Sequence, residues 1–163
     1  GANNSVFRCP TDYVLSAEQR TAGYIHRSRS ISMNAMVGDA GEFTRDGSNV
    51  NNPSYRQYLK SSHFDSTAEI FVFIEEHPDS INAGGFANQM VEDLNSARII
   101  DFPASFHNGA AGISFADGHA EIRKWVDVRT KPPPKYDNRL QLNVGSGGNL
   151  DMLWLAERTS APK

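Results

Sequence analysis

Cysteine is almost absent from this chain: Cys9 is the only one in 163 residues. A single thiol excludes an internal disulfide and any zinc knuckle built from several cysteines, and it leaves the compartment open. Long apolar runs are missing as well. None approaches the ~18 residues that suggest a membrane span, and no signal peptide is recognisable within the sequence. Excess charge of one sign is also lacking, with a net charge of -3 and a pI near 5.9. The densest basic cluster, Arg27 with Arg29, is too small to follow a phosphate backbone, so nucleic acid is not an expected partner. There is no internal repeat. What remains is a polar globular composition, 39% hydrophobic and 21% charged, at the length of one domain spanning residues 1–163.

The segments read as short elements between long loops. "GYIHRSRSISMNAM" alternates over Ile25, Arg27, Arg29 and Ile31 and predicts a strand over 24–33. "NPSYRQYLKSS" predicts a short helix, with Asn52 as cap, Pro53 in the first turn, and Tyr55 and Leu59 on one face. "AEIFVFIEE" (68–76) is the strongest buried strand, with Glu75-Glu76 expected at its exposed end. "PPPKYDN" (132–138) reads as an extended surface segment resembling a linker. Residues 137–163 are too poor in apolar surface to form a domain and are expected to dock back as a tail through Leu153, Trp154 and Leu155.

"FHNGAAGISFADGHAEIRKW" (106–125) carries the chemistry-bearing residues. Asp117-Gly118 between two alternating runs predicts a two-residue hairpin turn, since Gly accepts the positive φ such turns need. Pairing outward sets Phe115 opposite Ala120 and Ile113 opposite Ile122, giving an apolar core face. Ser114, His119, Glu121, Arg123 and, by parity, Trp125 fall on the polar face. On this reading Asp117 stabilises the turn and His107 hydrogen-bonds the preceding loop. The rival readings are a divalent metal site, in which His107 and His119 converge with Glu75, Glu76 or Asp79, and a hydrolase built on His107 and Asp117. The hydrolase lacks a nucleophile elbow, and Cys9 shows no sign of activation. The architectural reading is preferred, with no catalytic residue and no cofactor expected.

His107, nine residues, then Asp117-Gly118 resembles the His-x9-Asp-Gly signature of pilin-like proteins of planctomycetes, verrucomicrobia and their relatives, which are related to G-type pseudopilins of type II secretion. "FRCPTD", with Cys9 and Pro10, resembles the family's entry to the head domain. "SISMNAM" looks like its strand ending in Met-Asn, "FIEEHPDSIN" like its acidic turn, and "DMLWLAERTS" like its C-terminal ending. The resemblance covers nearly the whole chain. It departs at Ala83-Gly84-Gly85, where relatives often place an Asp, and "VGSGGNLD" offers no pattern onto which the calcium ligands of G-type pseudopilins can be carried.

The resemblance implies an α+β head with an antiparallel sheet over 24–33, 69–76 and 111–126, short helices and long loops. It also implies a hydrophobic N-terminal helix and a basic leader ahead of the sequence given, which opens at "GANNSVFRCP" without Met. The implied role is a structural subunit of a type II secretion-like pseudopilus or pilus-like filament. Its expected partners are other pilin-like subunits and secretion-system components, and its expected place is the periplasm or cell surface after anchoring in the inner membrane. The alternative is a metal- or glycan-binding extracytoplasmic module using the 75–85 loop with His107 and His119.

Overall fold

The computed structural model describes residues 4–163, leaving aside the side chains of Asn4 and Glu42; the start at residues 1–3 lies outside the described residues. The chain is α+β. Among the described residues, nine short strands (β1 Ile31–Asn34, β2 Thr44–Arg45, β3 Ser48–Asn49, β4 Phe71–Glu75, β5 Gly85–Phe86, β6 Arg98–Ile99, β7 Ala110–Phe115, β8 Ala120–Lys124 and β9 Val144–Gly145) accompany two α-helices, α1 Ala17–Thr21 and α2 Leu150–Thr159. Five of the strands form the main sheet in the order β5-β1-β4-β7-β8. The β1–β4, β4–β7 and β7–β8 pairs are antiparallel, but β5 joins β1 in parallel, so the sheet is mixed rather than wholly antiparallel. The chain reaches that edge by a crossover from the far end of β4 instead of a hairpin.

The two faces of the sheet differ. Phe71, Ile74, Ala111, Ile113 and Phe115 face inward and pack with Ile99, Phe102 and Trp125 in one core. The C-terminal helix closes that core with Met152 and Leu155, each fully buried, while Leu153 and Trp154 are only partly buried. Burying side chains of this size is worth about 1.5–3 kcal/mol each relative to exposure. Asn149 caps α2 by accepting from the Asp151 backbone N–H, and the Asp151 carboxylate accepts from the Val126 and Asp127 backbone N–H groups. Asn34, the last residue of β1, donates to the carbonyls of Phe71 and Thr159, so one buried amide ties β1, β4 and the end of α2 together.

The hairpin forms one residue out of the expected register. Ser114 pairs with Ala120, Ile113 with Glu121 and Gly112 with Ile122. Phe115 bonds His119, making a three-residue loop in which Gly118 takes φ 93. A one-residue slip exchanges every side chain between faces. Trp125 is therefore on the core side, 1% exposed, with its Nε1–H donated to the Ala104 carbonyl and Trp154 against its edge. Ala120 and Ile122, expected in the core, lie on the outer face, and Ile122 is 64% exposed.

Three other expectations are corrected. The strand predicted over 24–33 is confined to Ile31–Asn34, because Arg27 turns inward to pair with Asp12 at 3.2 Å and breaks the alternation. No α-helix forms over 52–62, whose last two residues only begin a 3-10 turn at Ser61–His63. Tyr55 and Tyr58 instead make isolated bridges to Pro162 and Val37, and the backbone serves long-range partners. Residues 132–138 are no linker, since the buried turn after β4 pins them.

Candidate functional site

The acidic turn after β4 is built from buried polar groups. Glu75, Glu76, His77, Asp79 and Ser80 are all buried, against the expectation that Glu75-Glu76 mark an exposed strand end. Burial of charge is tolerable only with hydrogen-bond partners, and each carboxylate has them. Glu76 accepts from the Ser32 and Ser80 hydroxyls, with Arg29 at 3.8 Å. Burial pushes its carboxyl up to about 7, and the neighbouring Asp101 adds to the shift.

Asp79 accepts four backbone N–H groups, from Lys135 at 2.7 Å, Tyr136 at 3.0 Å, Asp137 at 2.7 Å and Asn138 at 3.0 Å. Burial alone would raise its carboxyl, but the four donors outweigh it and hold the group below the usual range. His77 Nδ1 accepts from the Asp79 N–H, so the ring proton sits on Nε2 and is donated to the Pro132 carbonyl at 3.1 Å. Burial lowers this imidazole's pKa and favours that neutral form. The turn thus fastens residues 132–138 over the end of β4.

Glu75 faces the opposite side of the sheet. It pairs with Ile31 across β1, and its carboxylate lies over Gly112 of β7, accepting that residue's N–H at 2.6 Å. The imidazole of His107, in the loop before β7, brings Nε2 to 2.9 Å from Glu75 Oε2 and 3.2 Å from Oε1. Cys9 completes the group. Its Sγ is 3.8 Å from the same Nε2 and 3.0 Å from Thr11 Oγ1. One ligand-type atom from each of Cys9, Glu75 and His107 lies within 4.8 Å of the others. Burial, first, and the Glu75 charge raise the Cys9 thiol.

The segment bearing Cys9 is itself anchored. Cys9 N–H donates to Ser30 Oγ, Ser30 Oγ–H donates to Asp12, and the Ser30 backbone N–H donates to the Phe7 carbonyl.

The residues that carry the resemblance therefore fall into two places. Cys9 and His107 meet at Glu75, with Pro10 following in the same N-terminal segment, whereas Asp117, Gly118 and His119 stay together at the hairpin tip. Asp117 Oδ1 accepts the His119 backbone N–H at 3.0 Å and its Nδ1–H at 2.6 Å, and these bonds hold the carboxyl below its ordinary value. The His119 ring stacks on Phe115 with centroids 4.3 Å apart. His107 and His119 thus have different carboxylate partners and do not share an ion. Glu76 and Asp79 do not join them, because their oxygens are committed to hydroxyls and backbone amides.

The arrangement also argues against a thiol hydrolase. A catalytic imidazole uses one nitrogen for the nucleophile and the other for its orienting carboxylate. Here sulfur and carboxylate both meet Nε2, and the thiol is raised rather than activated. Sequence reasoning missed Cys9 as a partner of His107. They are 98 residues apart, and the only available signal was that the sole thiol and a motif histidine were both unassigned. No family model, curated protein or solved structure matches this chain.

Proposed function

We propose that this domain is the head of a pilin-like structural subunit in a type II secretion-like pseudopilus or related envelope filament. The supporting observation is the outer face of the main sheet. Ile31, Phe73, Ala120 and Ile122 line a shallow groove of about 450 Å³ on it. The N-terminal segment enters over the same face, where Phe7 meets the Phe73 ring at 6.3 Å between centroids. Phe7 thus lies beside an apolar strip that the described residues leave partly open. A hydrophobic helix there would cover the strip and bury Ile122.

The buried contacts of Cys9, Asp12 and Ser30 fasten that entry segment to β1 and β4, as a subunit pulled through its N-terminal helix requires. The motif resemblance supports the same reading. Its partners would be copies of itself or other pilin-like subunits, and its place the inner membrane before assembly and the periplasm or cell surface after it.

The test is Ile122→Asp in the full-length gene product. The isolated head should keep its stability within about 0.5 kcal/mol, since the residue is exposed. The full-length variant should be lost from the sheared or membrane-associated polymer fraction. Normal incorporation of the variant would remove the role assigned to this face.

A further inference from the structure

We propose that Cys9, Glu75 and His107 form a binding site for one zinc-like divalent transition-metal ion, fastening the N-terminal segment to the sheet. This goes beyond the filament reading, because the isolated folded head should bind the ion whether or not it assembles.

The geometry is that of ligands around one point. Bonds of about 2.3 Å to sulfur and 2.0–2.2 Å to nitrogen and oxygen place tetrahedral S···N and N···O edges at roughly 3.6 and 3.3 Å. Cys9 Sγ to His107 Nε2 is 3.8 Å, and His107 Nε2 to Glu75 Oε1 is 3.2 Å. The convergence of sulfur and carboxylate on the same ring nitrogen, which is wrong for a proton relay, is what a shared ion requires. A thiolate with an imidazole selects zinc-like metals over calcium or magnesium.

Supporting contacts are in place. The Gly112 N–H fixes the Glu75 carboxylate at 2.6 Å, and the Thr11 hydroxyl lies 3.0 Å from the sulfur. The His107 side chain is 31% exposed, so solvent can reach the cluster and supply a fourth ligand. Binding converts the Cys9 thiol to thiolate, its proton passing to buffer, and breaks the direct His107–Glu75 hydrogen bond, the Nε2 proton being given up to solvent while Nδ1 takes or keeps the one proton of the neutral ring.

The experiment is a titration of chelator-treated protein with Co²⁺ and then Zn²⁺. One equivalent of Co²⁺ should produce a thiolate-to-cobalt charge-transfer band and visible bands of tetrahedral cobalt, both erased by Zn²⁺. Cys9→Ser should abolish the charge-transfer band, His107→Gln should weaken binding about tenfold or more, and His119→Gln should change nothing. No charge-transfer band in the folded wild type, its survival in Cys9→Ser, or unchanged affinity in His107→Gln would overturn the proposal. Should a variant fail to fold, zinc-edge X-ray absorption on the wild type decides alone. A sulfur shell at about 2.3 Å supports the site, and a shell of only nitrogen and oxygen overturns it.

Discussion

Glu75 and Gly112 stand side by side on adjacent strands, the carboxylate of one folded over the bare backbone of the other. A Cβ at position 112 would lie 3.2 Å from Glu75 Oε2 and 3.3 Å from its carboxyl carbon. That carboxylate is already held by the Gly112 N–H and by His107, so it has little freedom to withdraw. A side chain here would force the carboxylate to shift by a few tenths of an ångström.

Gly112→Ala should therefore destabilise the domain by about 1–3 kcal/mol, the usual cost of overpacking. Gly84→Ala, where an added methyl meets open space, is the matched control. Denaturant unfolding of both variants checks this. Equal stability would show that Glu75 moves freely.

Asp79 takes four of the backbone N–H groups of residues 135–138, and His77 adds one bond to the Pro132 carbonyl. Asp79→Asn exchanges two anionic oxygens for one carbonyl and an NH2 that repels two of the four donors. A loss of roughly 2–3 kcal/mol is expected, with faster amide exchange at Lys135 through Asn138. The wild-type contribution also depends on pH. The folded carboxyl is depressed, so its stabilisation is complete above the unfolded value near 3.9 and is lost as pH falls through the lower folded value. Unchanged exchange in the variant would mean that other contacts hold the loop.

Glu76 behaves in the opposite sense. Its carboxyl is raised from 4.5 to about 7, so the folded state holds the proton more tightly than the unfolded chain. Stability from this group is fully present below about pH 4.5 and is lost as pH rises through the folded value of about 7, above which the carboxyl is ionised in both states. Asp101, raised to about 6 by burial, adds to the same trend. Subtracting the stability of Glu76→Gln from that of the wild type should give a difference that falls across this window. A flat difference would contradict the buried, reluctant carboxylate.

The sequence made some of this legible, for identifiable reasons. The run ending at Glu75 is apolar enough that only a buried strand fits, and Asp-Gly marks a turn whatever its length. The register was not legible, because Gly118 at φ 93 serves a three-residue loop as well as a two-residue one. The buried state of Glu75 and Glu76 was hidden for a different reason. Their partners are Gly112, His107, Ser32 and Ser80, and three of these come from other parts of the chain. Tyr55 and Leu59 have helical spacing, yet the bridges of Tyr55 to Pro162 and of Tyr58 to Val37 override that local preference.

We propose that a hydrophobic helix ahead of the described residues completes the outer sheet face. The most direct measurement is the mature N-terminus of the full-length gene product, read by mass spectrometry from its native envelope fraction and compared with the upstream coding sequence. A pilin-like subunit should show a short basic leader, a prepilin-type cleavage, and about 20 predominantly apolar residues retained on the mature chain. A native start immediately before Ala2, or removal of an ordinary secretory signal peptide at that point, would contradict it.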